Sequence, residues 1–201
     1  KLINRLIEQS EGDILFNNKK IKDYPLRELR LNMGYVLQQI ALFPNMTVAE
    51  NIALIPEMKK MDKKTIAETT NKLLNEVGMD PKVYSNRLPK DLSGGEKQRI
   101  GILRAIAANP DVLLMDEPFS ALDPISRSQL QDLITKIHKD YKITTVFVTH
   151  DMNEAIKLAD RICIMKEGKI VQIGTPREII EKPANSFVSQ FFENESELIH
   201  E

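Results

Sequence analysis

The sequence predicts an α/β fold with a mainly parallel sheet, a small antiparallel β part and a helical lobe. The apolar run at residues 112–115 is typical of a strand buried on both faces of a parallel sheet. The β-branched run at residues 144–149 indicates another strand, and residues 33–37 a third. Helical segments separate these strands along the chain, as α/β folds require.

The segment before the apolar run predicts a capped helix with an unusual first turn. Ser93 is suited to the N-cap and Glu96 to the return contact of a capping box. Gly94 and Gly95 each cost roughly 1 kcal/mol relative to alanine inside a helix. Two adjacent glycines therefore indicate that something approaches the backbone closely, and helix N-termini are suited to phosphate. The alternative is an ordinary capped helix.

Polar side chains follow all three predicted parallel strands. Gln38 follows the strand at 33–37, Asp116 and Glu117 follow residues 112–115, and His150 follows residues 144–149. Ligands of open α/β sheets bind at the carboxyl ends of the strands, so this edge is the expected phosphate site. Taken singly, Asp116 and Glu117 could be a solvated strand end, Gln38 a loop amide and His150 a structural histidine.

Further elements are predicted from caps, turns and periodicity. The spacing of apolar residues in positions 1–8 predicts helix, and Asn17-Asn18 predicts a hairpin turn within 12–21. The remaining expected helices and turns are a short helix at 25–31, helices opening at Thr47 and Asp62, a helix opening at Asp123-Pro124, a helix at 151–159, a hairpin at 162–173 and a helix capped by Thr175.

Composition limits the classes of function. The chain has 201 residues, 42% of them hydrophobic, and its 28 basic and 29 acidic residues give a net charge of -1. No global positive field recommends nucleic acid as a partner. The sequence contains no run of about 18 apolar residues and no signal-peptide pattern. Cys163 lies in an apolar strand-like run, which predicts a small core residue in a reducing compartment.

Three motifs together resemble a known family. LSGGE at 92–96, VLLMDE at 112–117 and SALD at 120–123 are similar to the signature, Walker B and D-loop motifs of ABC-type ATPases. The resemblance implies a P-loop NTPase (RecA-like) core in a single ABC nucleotide-binding domain over residues 1–201. Its helical lobe would span about 46–104 and its C-terminal tail about 184–201.

The sequence departs from the motif pattern of ABC-type ATPases in one respect. No GxxxxGK[ST] phosphate loop occurs in the 201 residues. The sequence thus resembles an ABC domain without its first strand, its Walker A loop and its adenine-stacking aromatic residue. We expect this chain alone to bind ATP weakly or not at all, and a longer parent to be competent.

The resemblance also implies roles for the site residues. Asp116 would hold Mg²⁺, Glu117 would act as general base on water, Gln38 would contact both Mg²⁺ and that water, and His150 would contact the γ-phosphate of ATP. Ser93, Gly94, Gly95 and Glu96 would bind the nucleotide held by a second nucleotide-binding subunit, with Asp123 communicating across the interface. Function would therefore require a dimer, most simply a homodimer.

Within the ABC ATPases, residues 34–56, together with residues 1–8 and 116–127, most resemble bacterial importers of quaternary-amine osmoprotectants such as glycine betaine, carnitine or choline. This implies integral-membrane permease subunits as partners, residues 40–44 as the surface that meets them, and a peripheral location on the cytoplasmic face of the membrane. One alternative is an ABC ATPase acting on nucleic acid or the ribosome; the other is a non-catalytic interaction fragment.

Overall fold

The computed structural model describes residues 1–38, 41–120 and 122–192. The chain divides into two compact units, Lys1–Val148 and Thr149–Glu201. Each unit has its own core and is described by itself. No helix within the described ranges combines the length and the apolarity needed to cross a bilayer.

The first residues form turns, so the helix predicted for positions 1–8 is wrong. Arg5 has a left-handed φ of 51°, which interrupts a right-handed helix. The amide of Leu6 donates to the carbonyl of Lys1 at 3.0 Å, one residue further than in an α-helix. The guanidinium of Arg5 instead donates to the carbonyls of Ile21 and Tyr24 at 3.4 and 3.3 Å. These tertiary contacts outweigh the helical periodicity.

The predicted N-terminal hairpin is confirmed. Strands β1 (Leu15–Phe16) and β2 (Lys19–Lys20) pair antiparallel. Asn17 and Asn18, with φ of 48° and 61°, supply the two left-handed residues of a type I′ turn. The side-chain amide of Asn17 also donates to a carboxylate oxygen of Asp111 at 2.9 Å. The hairpin is thereby tied to the segment that leads into the main sheet.

The main sheet has the predicted parallel arrangement. Strands β3 (Met33–Val36), β4 (Val112–Asp116) and β5 (Thr144–Val148) lie in the order β3-β4-β5. The register pairs Met33 with Val112 and Val112 with Thr144, so the three carboxyl ends lie side by side. Strand β4 is central, and Leu113, Leu114 and Met115 are all buried. This confirms the prediction of a strand buried on both faces.

Four helices of this unit begin at the predicted caps. Thr47 and Ser93 both form complete capping boxes, and Asp62 and Asp123 cap their helices through single carboxylate oxygens. The helix that Thr47 caps continues through buried Pro56 to Met58. The helices are α1 (Leu26–Leu31), α2 (Val48–Met58), α3 (Lys63–Glu76), α4 (Pro81–Tyr84), α5 (Gly94–Ile106) and α6 (Pro124–Tyr141).

The second unit is built around a hairpin with helices on one face. Its elements are α7 (Met152–Leu158), β6 (Ile162–Lys166), β7 (Lys169–Gly174), α8 (Pro176–Glu181) and α9 (Ser186–Gln190). Ile162 and Ile164 face its core, which also includes Val188 and Phe192. Residues 193–201 of the predicted tail lie outside the described ranges.

Cys163 is exposed, so its prediction as a core residue is wrong. Alternate residues of a strand point to opposite faces. Ile162 and Ile164 take the buried face of β6, which places Cys163 on the other side. The apolar run gives no indication of which alternate set is buried.

Close backbone packing between β3 and α5 gives a testable prediction. A Cβ added at Gly34 would lie 2.6 Å from the carbonyl oxygen of Ala105 and 2.9 Å from Leu113 Cδ1. A Cβ added at Gly101 of α5 would have no described residue within 4 Å other than its chain neighbours and the backbone of the helix itself. We expect Gly34→Ala to destabilise the protein by about 1–3 kcal/mol, because the backbone of β3 or α5 must shift to make room for the added methyl group.

The matched control is Gly101→Ala, which should raise stability by up to about 1 kcal/mol through helix propensity. Urea unfolding of both variants measures the difference. Equal stability of the two variants would contradict the packing described between β3 and α5.

Candidate functional site

The structure brings Gln38 and Glu117 together at the carboxyl ends of neighbouring strands. The side-chain amide of Gln38 donates to Oε2 of Glu117 at 2.9 Å. Asp116 is the last residue of β4 and is half-buried. We call Gln38, Asp116 and Glu117 the strand-end site. It concentrates two carboxylates and one amide at the edge where α/β sheets bind ligands.

Glu117 has an unusual backbone conformation that fixes its position. Its φ is 44°, in the left-handed region that costs a side chain of this type about 1–2 kcal/mol. Its amide donates to the carbonyl of Val148 at 2.9 Å, which extends the pairing of β4 with β5. Its carbonyl accepts from the amide and the hydroxyl of Ser120 at 3.3 and 3.1 Å. Strained residues held in this way cluster at functional sites.

Tyr35 lies close enough to Asp116 for the carboxylate to affect the pKa of its phenol. Burial, and then the negative charge of Asp116, raise the pKa of the Tyr35 phenol. Tyr35 lies on β3 opposite Leu114 of β4, two residues before Asp116. A neutral tyrosine therefore lies on the side of the strand-end site formed by β3.

A second cluster of predicted site residues lies at the start of α5. The hydroxyl of Ser93 accepts from the amide of Glu96 at 3.2 Å, and Glu96 Oε2 accepts from the amide of Ser93 at 2.7 Å. The hydroxyl of Tyr84 donates to Glu96 Oε1 at 2.8 Å. Burial acts to raise the pKa of Glu96, but the hydrogen bonds from Ser93 and Tyr84 outweigh it and lower the pKa.

The two glycines of this turn have different surroundings. A Cβ at Gly94 would meet nothing within 4 Å, so the space beside it is open. A Cβ at Gly95 would lie 2.9 Å from Ser126 Oγ and 3.2 Å from Ser126 Cβ. The close approach predicted at Gly95 is thus made by α6 of this chain. We call Ser93, Gly94 and Gly95 the glycine terminus.

Asp123 is tied to the glycine terminus through the first turn of α6. Its Oδ1 accepts from the amides of Ile125 and Ser126 at 3.1 and 3.0 Å. Hydrogen bonds from Ser126, followed by that from Ile125, lower the pKa of Asp123 against a smaller opposing effect of burial. Ser126 therefore contacts both Gly95 and Asp123. Ala121, between the motif residues Ser120 and Leu122, lies outside the described ranges.

Gln98 is a site residue that the sequence analysis missed. It is buried, and its side-chain amide donates to the carbonyl of Pro118 at 2.8 Å. This bond joins α5 to the turn that follows Glu117. Gln98 precedes buried Ile102 by one helical turn, so a polar residue within the apolar stripe of α5 was the available signal.

His150 lies in the second unit, two residues after the end of β5. The turn that carries it is ordered locally, because the amide of Asp151 donates to Thr149 Oγ1 at 3.0 Å and Thr149 Oγ1 donates to Glu154. Asp151 then caps α7 by accepting from the amide of Asn153 at 2.9 Å. The predicted convergence of His150 with the strand-end site stays a prediction.

A surface loop between β3 and α2 completes the set of predicted residues. We call residues 41–47 the Phe43 loop, after its half-exposed phenylalanine, which is 48% exposed. Fully buried Asn51 accepts from the amide of Phe43 at 2.9 Å and donates to the carbonyls of Phe43, Met46 and Thr47.

Arg104 of α5 supports the same loop. Its guanidinium donates to the carbonyl of Ala41 at 2.7 Å and lies 5.7 Å from the centre of the Phe43 ring. Burial lowers its pKa. Residue 40, which was predicted to belong to the same surface, lies outside the described ranges.

Comparisons with known proteins agree with the motifs. The sequence model of the family described as "ABC transporter" matches residues 1–120. The chain therefore belongs to the ABC transporter family.

Two curated relatives are named as ATP-binding proteins of transport systems. The glycine betaine/carnitine/choline transport ATP-binding protein OpuCA of Bacillus subtilis (strain 168) is 53% identical over 195 residues, 97% of this chain and 51% of that protein. The glycine betaine/proline betaine transport system ATP-binding protein ProV of Escherichia coli (strain K12) is 44% identical over 196 residues, 96% of this chain and 48% of that protein. The chain thus spans about half the length of the curated relatives it matches.

A solved structure shows the same fold. It is described as the dimeric structure of a post-hydrolysis state of the ATP-binding cassette MJ0796 bound to ADP and Pi. The similarity has a TM-score of 0.75 at 31% sequence identity, and it covers 87% of this chain and 78% of that one. The predicted P-loop NTPase fold is confirmed.

The contrast between the two glycines predicts different responses to alanine. We expect Gly94→Ala to leave stability unchanged or to raise it by up to about 1 kcal/mol, since space is open and alanine favours helix. Gly95→Ala should be less stable than Gly94→Ala by roughly 1–2 kcal/mol, because its Cβ meets Ser126.

Thermal unfolding of the two variants measures this difference, and Ser126→Ala in the Gly95→Ala background should recover part of the loss. If Gly95→Ala and Gly94→Ala unfold at the same temperature, α6 does not constrain Gly95.

Proposed function

We propose that this chain is the ATP-binding and ATP-hydrolysing part of a subunit that drives an ABC importer. The observation that carries the proposal is the hydrogen bond from Gln38 to Glu117, made beside Asp116 at the carboxyl ends of β3 and β4. The reaction is attack of water on the γ-phosphate of ATP, in which catalysis consists mainly of positioning and electrostatic stabilisation.

Glu117 is the general base of the proposed reaction. Its left-handed backbone is held by hydrogen bonds to Val148 and Ser120, and this conformation determines the direction in which the side chain projects from the end of β4. The amide of Gln38 orients this carboxylate by donating to one of its two oxygens. The carboxylate then accepts a proton from the attacking water. His150 contacts the γ-phosphate of ATP in this proposal.

The strand-end site suits Mg²⁺ as the metal ion. Asp116 and Gln38 supply carboxylate and amide oxygens, which are the hard donors that Mg²⁺ prefers. In the described part of the chain, no cluster of three or more histidine, cysteine or acidic side chains could hold a metal ion. Few protein ligands are typical of Mg²⁺, which keeps waters and binds substrate phosphates. When bound, it neutralises charge on the phosphates.

The glycine terminus binds the nucleotide held by a second subunit, in the proposed dimer. Gly94 supports this, because a Cβ placed there would have no described residue within 4 Å other than its chain neighbours and the backbone of its own helix. The first amides of a helix have no intrahelical acceptor and attract anions. Glu96 completes the capping box behind this turn, and Asp123 communicates across the interface through Ser126.

The Phe43 loop is the proposed contact with an integral-membrane permease. Phe43 is a large apolar side chain exposed on a loop that Asn51 and Arg104 hold rigidly. Preorganised apolar side chains are typical anchors of protein interfaces. Since the curated relatives serve glycine betaine, carnitine or choline transport, a quaternary-amine osmoprotectant is the proposed solute. The subunit would lie on the cytoplasmic face of the membrane.

The first test removes the charge of the general base. We expect Glu117→Gln, in the natural polypeptide that contains these residues, to lower kcat for ATP hydrolysis by at least about 100-fold. Binding of Mg-ATP should persist, because the substituted amide oxygen can still accept from Gln38. Phosphate release and equilibrium ATP binding measure the two effects.

The matched control for this test is Glu57→Gln on the exposed side of α2, which should leave kcat unchanged. Unchanged turnover in Glu117→Gln would contradict the assignment of the base. No ATP binding by the natural polypeptide would contradict the proposed function as a whole.

The second test addresses the permease contact. We expect Phe43→Asp to reduce co-purification with a co-expressed osmoprotectant permease by at least about tenfold, as for an interface hot spot. Met58 is similarly exposed at 41% but lies at the end of α2, so Met58→Asp is the control that should still assemble. Equal recovery of permease with both variants would exclude the Phe43 loop as the contact.

A further inference from the structure

We infer that Tyr84 is a positioning residue for the glycine terminus. The inference rests on the proposed function, in which that terminus binds a nucleotide phosphate. Tyr84 acts through Glu96, since its hydroxyl donates to Glu96 Oε1 at 2.8 Å. It lies in α4, outside the motifs that define the site, and no sequence motif points to it.

The position of Glu96 creates the need for such a residue. Glu96 is an acidic side chain in the first turn of α5, the same turn that would receive an anionic phosphate. Two negative charges a few ångströms apart repel each other, most strongly where water is excluded. The lowered pKa of Glu96 keeps its carboxylate charged at neutral pH. A freely rotating carboxylate would therefore compete with the phosphate for the amides of the glycine terminus.

Two hydrogen-bond donors hold the Glu96 carboxylate in an orientation that avoids this competition with the phosphate. The amide of Ser93 binds Oε2 at 2.7 Å, and the hydroxyl of Tyr84 binds Oε1 at 2.8 Å. Each oxygen thus has a partner on the capping side of the turn. The capping box alone leaves Oε1 without this restraint, so the tyrosine determines the orientation of the second oxygen. The space beside Gly94 stays open as a result.

Tyr84 is itself held in place by its neighbours. Its amide donates to the carbonyl of Asp80 at 2.9 Å, and its carbonyl accepts from the amide of Arg87 at 3.0 Å. The guanidinium of Arg87 lies 4.4 Å from the centre of the tyrosine ring, at cation–π distance. The hydrogen bond with Glu96, and then burial, raise the pKa of the Tyr84 phenol, so it remains a donor.

The experiment removes only the hydroxyl and asks whether its effect depends on the charge of Glu96. Tyr84→Phe is made in the natural polypeptide, alone and together with Glu96→Gln, and the ATPase is assayed over a range of Mg-ATP concentrations. We expect Tyr84→Phe to raise KM for Mg-ATP by about threefold or more, as for loss of a typical hydrogen bond. In the Glu96→Gln background, Tyr84→Phe should cause no further rise, because the repelling charge is gone.

The matched control is Tyr141→Phe. Tyr141 also donates its hydroxyl to a glutamate, with 3.0 and 2.9 Å to the two oxygens of Glu76, but this pair joins α6 to α3. Its loss should lower the thermal unfolding temperature about as much as Tyr84→Phe and leave KM unchanged. A purely structural role for Tyr84 would make the two variants behave alike.

The outcomes separate this inference from the proposed function. If the unsubstituted polypeptide neither binds nor hydrolyses ATP, the proposed function fails. If it is active and Tyr84→Phe leaves KM unchanged, or raises KM equally with Glu96 and with Gln at position 96, the role of Tyr84 is overturned.

Discussion

The close contact between β3 and α5 is the constraint on which the first unit depends. Gly34 lies so near the carbonyl of Ala105 that no side chain fits between strand and helix. The rest of α5 is placed by this contact: Arg104 reaches the Phe43 loop, Gln98 reaches Pro118, and the first turn meets α6 at Ser126. One helix thus begins at the glycine terminus and contacts both the turn after Glu117 and the Phe43 loop. Its length and rigidity set the distances between them.

The elements that could be predicted from sequence are those specified by local chemistry. Ser93, Thr47 and Asp123 are caps whose side chains bond within their own first turn, and each starts a helix where predicted. The apolar run at 112–115 was correctly assigned as a buried strand, because no polar residue interrupts it. Positions 1–8 show the opposite case, where contacts of Arg5 with a distant segment override the local periodicity.

The residues of the strand-end site could be predicted from the sequence, but the contacts that hold the site and its neighbouring turns in place could not. Parallel strands place their carboxyl ends at one edge, so the proximity of Gln38 and Glu117 followed from topology. Gln98 and Ser126 could not be found in this way, because their contacts join residues that are distant in sequence. The left-handed backbone of Glu117 could not be predicted from the sequence either, since only the surrounding hydrogen bonds stabilise it.

The start of α2 shows a further consequence of how this unit is built. The amides of Val48 and Ala49 donate to the carbonyls of Arg87 and Ser85 at 2.9 and 3.0 Å, so peptide groups from another segment satisfy the open end of this helix. Breaking these bonds in a partly buried place would leave amides unpaired, at a cost of about 1–3 kcal/mol each. The Phe43 loop precedes this junction and Tyr84 adjoins it. A displacement of the Phe43 loop would therefore be transmitted to Tyr84 through these backbone hydrogen bonds.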